Sequence, residues 1–327
     1  MKSYVLWSSA ALLLAVTGCS NGTTTTTDHK PASTSVSATS NTTSGATIQI
    51  TDFSKRTLSF QKAPQHIVAL SNGDLDIIYA LGGTAVGRPN SNEPSVVPAA
   101  ENVQQIGSTH EVDLEKITML KPDVVLGNYP MNEKDIPAIE GVGSQLLLTG
   151  ANSVQDIQSQ ITLFGQLLQK QAQAAKLNQQ IDQQVAKLQQ ETASASKPKV
   201  LLVYGAPATY MAALPNSLGG NILEAAGGSN IAADFPGLQN FPQYAQLNTE
   251  RILQANPDYI FIMTHGNTEE VKAAFIKEMQ ENAAWNGIRA VQNNQVEVLP
   301  SDLFGTNPGT RVTKALDLMH QKLYPAK

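Results

Sequence analysis

Hydrophobic and polar positions fall into one unit that occurs twice in the same register. Residues 113–126 read Asp-Leu-Glu-Lys-Ile-Thr-Met-Leu-Lys-Pro-Asp-Val-Val-Leu, and residues 248–261 read Asn-Thr-Glu-Arg-Ile-Leu-Gln-Ala-Asn-Pro-Asp-Tyr-Ile-Phe. Each copy opens on a capping residue (Asp113, Asn248) and carries a glutamate two positions on (Glu115, Glu250). A basic residue and an isoleucine follow, then Pro-Asp and an apolar run. The pattern predicts a short capped helix, broken by proline, that feeds a buried strand. Two such units far apart in one chain predict two similar lobes.

The intervening segments fit that frame. Residues 48–50 and 58–60 alternate as a hairpin, and 67–70 form a short buried strand of the parallel type. Residues 71–74 make a turn with a helix cap, leading into a helix over 75–81. Further strands are expected at 85–87, 146–148, 200–204, 259–263 and 296–299, with helices around 221–226, 269–281 and 309–323. Residues 205–211 read as a loop. This alternation predicts an α/β fold with parallel sheets. Between the lobes, residues 153–192 contain no proline and one glycine, Gly165. Val154, Ile157, Ile161, Phe164 and Leu168, then Ile181, Val185 and Leu188, recur by threes and fours. That spacing predicts one long amphipathic helix, or two stacked end to end, packed across the lobes. The organisation expected is an N-terminal lobe over 47–152, a linking helix over 153–194 and a C-terminal lobe over 195–327.

The first residues add a compartment. Lys2 precedes a short apolar core, which ends in Ala15-Val16-Thr17-Gly18-Cys19. That ending resembles the lipobox of bacterial lipoproteins, in which the cysteine is lipidated and becomes the new N-terminus. Residues 1–18 are then a signal peptide, and residues 19–46, dominated by Thr, Ser, Asn and Gly, a flexible tether without core-forming residues. Anchored this way, the chain is expected as a monomer on the extracellular face of the bacterial cytoplasmic membrane. Cys19 is the sole cysteine, so no internal disulfide or cysteine-rich metal site can form. The net charge of −5 argues against a nucleic-acid partner.

In open parallel sheets, ligands bind outside the carboxyl ends of the strands. Residues 71–72, 88–90, 205–210 and 264–266 therefore line a common cleft if the lobes oppose each other. In the repeat register Pro130 matches His265, and Ala245 matches His110. Scaffold explains what the copies share, so the two histidines, as departures, are the candidates for ligand chemistry. A bare zinc or manganese site wants three or four ligands, more than the cleft offers. Two axial ligands suffice if a porphyrin supplies the other four, and without a Cys-x-x-Cys-His site such a heme is held non-covalently. An enzyme is the weaker reading: there is no Gly-x-Ser-x-Gly elbow, phosphate-binding loop or evident catalytic pairing.

Taken with the lipobox and the long linking helix, the twin Glu/Pro-Asp units resemble the iron-complex and cobalamin class of ABC-transporter substrate-binding proteins. Within that class the segments at 106–107 through 114–116, 205–210, 226–228, 264–266 and 303–305 are similar to the heme-receptor lipoproteins of the iron-regulated surface determinant system. The resemblance implies a class III periplasmic-binding-protein-like fold, two lobes joined by a rigid helix. It also implies that heme b is the transported ligand, with no enzymatic activity. The receptors ligate heme iron through a histidine and a methionine; His265 matches the histidine, and His110 stands where the methionine is expected. Bis-histidine ligation follows, with Tyr129 or Met131 as fallback on the first-lobe side. Ser71, Asn72, Arg88 and Tyr210 are the candidates for the pocket rim, where hydroxyl, amide and guanidinium groups hold propionates. Glu115 and Glu250 are the candidates for docking on an ABC permease dimer. A ferric siderophore or cobalamin on the same fold is the alternative ligand, and an adhesin or sensor that has kept the fold is the alternative role.

Overall fold

The computed structural model describes residues 47–206, 209–264 and 268–325. The expected signal peptide, Cys19, the tether and His265 lie outside the described residues.

The first lobe begins with an antiparallel hairpin, β1 (Ile48–Thr51) and β2 (Thr57–Phe60). There follow β3 (Ile67–Ala69), α1 (Asn72–Ala80), β4 (Gly87–Arg88), β5 (Gln104–Gln105), α2 (Leu114–Leu120), β6 (Val124–Asn128), α3 (Ile136–Gly141) and β7 (Gln145–Thr149). The sheet runs β5-β4-β3-β6-β7 and is parallel throughout. Strand order therefore reverses between β3 and β6, the position at which such sheets open a crevice.

Two helices follow, α4 (Val154–Leu167) and α5 (Gln171–Thr192). They are neither a single rod nor two helices end to end. Gln169 takes a left-handed conformation (φ 57°), and the chain folds back on itself. The hairpin is zipped by Asn178 Nδ2, which donates to Thr162 Oγ1 (2.9 Å), and by Gln158 Nε2, which donates to Asp182 Oδ1 (2.7 Å). Gly165 admits the crossing, because a Cβ there would lie 2.5 Å from that of Ala174. The break coincides with the lapse in the apolar stripe, where no seam holds a continuous helix straight. The linking rod is α5, whose 22 residues span about 33 Å. Gln173 near its start donates to the Ala80 carbonyl of α1, and Thr192 at its end packs against Gly227 in the second lobe.

The second lobe comprises β8 (Lys199–Ala206), β9 (Thr209–Ala213), α6 (Leu218–Ala225), β10 (Ser229–Asn230), β11 (Tyr244–Gln246), α7 (Thr249–Ala255), β12 (Tyr259–Thr264), α8 (Thr268–Glu281), α9 (Arg289–Gln292), β13 (Val296–Val298), α10 (Ser301–Phe304) and α11 (Val312–Leu323). Its sheet runs β11-β9-β8-β12-β13, with β10 beside the start of β8. This sheet is mixed rather than parallel, since β9 is antiparallel to both β8 and β11. Of the expected loop over 205–211, residues 205–206 and 209–211 belong to the strands of that hairpin. Strand-forming Thr209 and Tyr210 pair with Ala206 and Gly205.

Both sheets alternate strictly. Ile67, Ala69, Val124 and Leu126 point to the same core as Val200, Leu202, Phe261 and Met263. This core includes Ile157, Ile161 and Phe164 of α4, Ile181 and Leu188 of α5, and Leu316 and Met319 of α11. Val68, Leu70 and Val125 face a separate core over the first sheet, and Leu201, Val203, Ile260 and Ile262 face one over the second. The lobes thus share a hydrophobic core through the helices between them.

The repeat is reproduced in its caps, its left-handed stops and its clamping aspartates. Asp113 Oδ1 accepts from Lys116 N and Asn248 Oδ1 from Arg251 N, both at 3.0 Å. Each helix ends in a left-handed residue, Lys121 or Asn256, directly before the proline. The following aspartate clamps the start of the neighbouring strand. Asp123 Oδ2 accepts from Gln65 N (2.7 Å) and His66 N (2.9 Å), and Asp258 Oδ2 accepts from Lys199 N (2.9 Å). Upstream of the caps the lobes diverge. His110 is exposed in a turn, whereas Ala245, its partner in the repeat register, is buried in β11.

Candidate functional site

Every parallel strand of the first lobe delivers its carboxyl end to the same edge, and the second lobe does so through β8, β12 and β13. The floor between these edges is built from α1, β7, α4 and the segment before α11. Asp74, in the first turn of α1, is buried; its carboxylate accepts from Ser71 Oγ (2.6 Å), Thr149 Oγ1 (3.1 Å) and Gln160 Nε2. Gln160 reaches the other lobe, accepting at Oε1 from Asn307 Nδ2 (2.8 Å). Burial among neutral donors pushes the Asp74 carboxyl up to about 6, against the opposing effect of those hydrogen bonds.

Two residues on, Asp76 Oδ2 accepts from the backbone N–H and the hydroxyl of Thr310, both at 2.6 Å, and Arg311 Nε lies 3.5 Å from Oδ1. Burial raises the Asp76 carboxyl, opposed by the Thr310 bonds and by the charges of Arg311 and Lys314. Close backbone contact completes this junction. A Cβ on Gly73 would lie 2.7 Å from the Asn307 carbonyl oxygen, and Gly309 (φ +64°) faces Asp76. Asp74, Thr149, Gln160 and Asn307 were not singled out by sequence reasoning. The available signal was two aspartates set inside the apolar stretch of α1.

The rim carries most of the expected candidates. Ser71 and Asn72 stand at the carboxyl end of β3, and His110 in the turn after β5. Tyr129 and Met131, exposed at 42% and 39%, follow β6. Tyr210 lies at the start of β9, at the corresponding end of the second sheet. His110 N donates to Ser108 Oγ (3.2 Å), and Ser108 N donates to the Glu111 carbonyl (2.8 Å), which closes the turn.

Three of the expected propionate-holding groups are committed elsewhere. Arg88 is 5% exposed rather than at the rim, and its guanidinium donates to the carbonyls of Glu101 (3.0 Å) and Pro89 (3.4 Å). Its Nε is buried with no hydrogen-bond partner among the described residues. The Ser71 hydroxyl donates to Asp74 and accepts from Asp74 N. Tyr210 donates to the Val271 carbonyl (3.2 Å) and packs against Phe275 at a 55° tilt, with ring centroids 4.9 Å apart. Asn72 is half-buried at the mouth.

The remaining described histidines are outside the cleft. His66 is at the amino end of β3, and His320 Nδ1 meets the Ala226 carbonyl at 3.1 Å. No cluster of three or more His, Cys, Asp or Glu residues suited to a metal ion occurs among the described residues.

Glu115 and Glu250 are both exposed and stand second in their helices. Helices α2 and α7 each run down to a parallel strand, so both amino ends lie on the ligand side of their sheets.

Two lobes with opposed carboxyl edges, a helical link and a shared floor define a two-lobed binding protein. Residues 67–303 match the periplasmic binding protein family, and the chain belongs to it. It is a substrate-binding protein of the ABC-transporter type rather than an enzyme. It is 31% identical over 243 residues to the high-affinity heme uptake system protein IsdE of Staphylococcus aureus, covering 74% of this chain and 81% of that one. Among solved structures it is similar to an ABC-transporter substrate-binding protein of Listeria monocytogenes, with TM-score 0.71 and 30% identity over 81% of this chain and all of that one. The structure of S. aureus IsdE complexed with heme is matched at TM-score 0.71 and 29% identity, covering 79% of this chain and 98% of that one.

Proposed function

We propose that this protein captures heme b between its lobes and delivers it to an ABC importer for iron acquisition. His265 and His110 are the axial ligands in this reading, and Glu115 and Glu250 are the docking contacts for the permease dimer. The chain is processed after residue 18 and lipid-anchored through Cys19 as a monomer, with residues 19–46 as the tether. The lobes are assigned to 47–152 and 195–327, and the link to 153–194.

The observation that carries the reading is the likeness to IsdE in both sequence and fold. The chemistry of the first-lobe rim supports it. His110, Tyr129 and Met131 are all exposed there, and imidazole, phenolate and thioether are each competent ligands of heme iron.

Titration of the purified protein with hemin is expected to give a saturable Soret band of six-coordinate, low-spin character. His265→Ala should abolish the low-spin spectrum, and His110→Met should change it and raise the reduction potential, since a methionine ligand favours ferrous iron. A wild-type protein that binds a ferric siderophore or cobalamin but gives no Soret band would overturn the heme assignment in favour of those ligands.

A further inference from the structure

We infer that Asn132 is the positioning residue that sets the first-lobe heme ligand, a role that rests on the heme reading above. Asn132 is fully buried, and its amide groups are spent across two loops distant in sequence. Nδ2 donates to the carbonyl of Thr109 (2.9 Å), the residue before His110, and to Asp135 Oδ2 (2.9 Å). Oδ1 accepts from the backbone N–H of Asn128 (2.9 Å), the residue before Tyr129. Asn132 N also donates to the Asn128 carbonyl (2.7 Å). The side chain therefore ties the turn bearing His110 to the loop bearing Tyr129 and Met131, both on the rim.

Room for this strut is made locally. Gly127, the penultimate residue of β6, would meet Asn132 Cβ and Oδ1 at 3.2 Å if it carried a side chain. The turn it holds is short and rigid, with Gly107 at φ +96° and Asn90 Oδ1 accepting from Gly107 N at 3.0 Å. Moving the Thr109 carbonyl carries His110 with it. An axial ligand tolerates little displacement, because a bond to iron needs the donor atom held in place before the ligand arrives. A buried amide with both donors and its acceptor satisfied provides that fixity, and an unpaired replacement does not.

The test uses Asn132→Asp and Asn132→Ser in the full mature chain. The aspartate keeps an acceptor for Asn128 N but cannot donate to the Thr109 carbonyl; the serine hydroxyl is too short to bridge both loops. Both variants should keep the far-UV circular dichroism of the wild type and still bind hemin. Their spectra should move from low-spin six-coordinate towards high-spin, with affinity falling about tenfold or more. Wild-type low-spin spectra in both folded variants, with affinity within twofold, would overturn the role of Asn132 and leave the heme reading standing. Loss of the folded signature in both would make Asn132 a fold residue and also overturn the role. A wild-type protein without a Soret band would instead overturn the heme reading, and this role with it.

Discussion

Asp74 has the most unusual surroundings of the described side chains, because its carboxylate is buried with hydroxyl and amide donors and no cation in contact. Its carboxyl is raised from 3.8 to about 6 by that burial. The folded state then binds a proton that the unfolded chain releases between those values. Stability from this group is full below about pH 4 and is lost as pH rises through 6. A shift of this size corresponds to roughly 2–3 kcal/mol. Asp74→Asn imitates the protonated acid, with one acceptor for Gln160 and Thr149 and one donor for Ser71. Its unfolding midpoint in urea should lie close to that of the wild type at pH 4 and above it at pH 7.5. Equal midpoints at both pH values would show that Asp74 is ionised without cost. Sequence reasoning placed Ser71 at the mouth but could not see that its hydroxyl belongs to Asp74. The burial of Arg88 is hidden for the same reason: a strand end identifies the edge but not whether a side chain turns outward or back under the loop.

At the scale of elements, the parts repeated by the sequence were the parts most legible in it. Capping residue, left-handed stop, proline and clamping aspartate recur because each satisfies a local backbone need that distant contacts do not alter. The fold-back at Gln169 and the β8–β9 hairpin were less legible, because each is fixed by pairing between two neighbouring segments, Asn178 with Thr162 and Tyr210 with Gly205, that neither segment's own pattern displays. Local need does not account for the exposed glutamates. A first-turn carboxylate adds roughly 0.3–1 kcal/mol through the helix dipole, and many polar residues would be tolerated at those positions. Their common placement on the ligand side of both lobes supports docking on a permease. The double variant Glu115→Lys/Glu250→Lys should bind ligand with unchanged affinity while cellular uptake falls at least tenfold. Uptake at the wild-type rate would remove the docking role and leave only the helix-dipole contribution.

At the scale of the whole molecule, the lobes are held by their shared core, by the contact of Gly73 with Asn307 and by the Asp76–Thr310 bonds. The direction of the chain then matters for its proposed anchoring. Strand β1 enters at Ile48 beside Phe60, and the Ser59 carbonyl accepts from Gln145 Nε2, at the amino end of β7. The chain therefore leaves the first lobe at the pole opposite the strand ends that carry His110 and Tyr129. A body of this size is about 50 Å across. If Cys19 is in the membrane and the ligand edge docks on a permease there, the connecting residues must run the height of the protein. Residues 20–46, fully extended, reach about 90 Å, which suffices. Removing roughly fifteen of them leaves about 40 Å, which does not. Such a deletion should leave hemin binding and membrane fractionation intact but abolish uptake, and replacing the deleted residues with a Gly/Ser segment of equal length should restore it. Full uptake by the shortened protein would mean that it does not dock by its ligand edge while anchored, or that the anchor lies elsewhere.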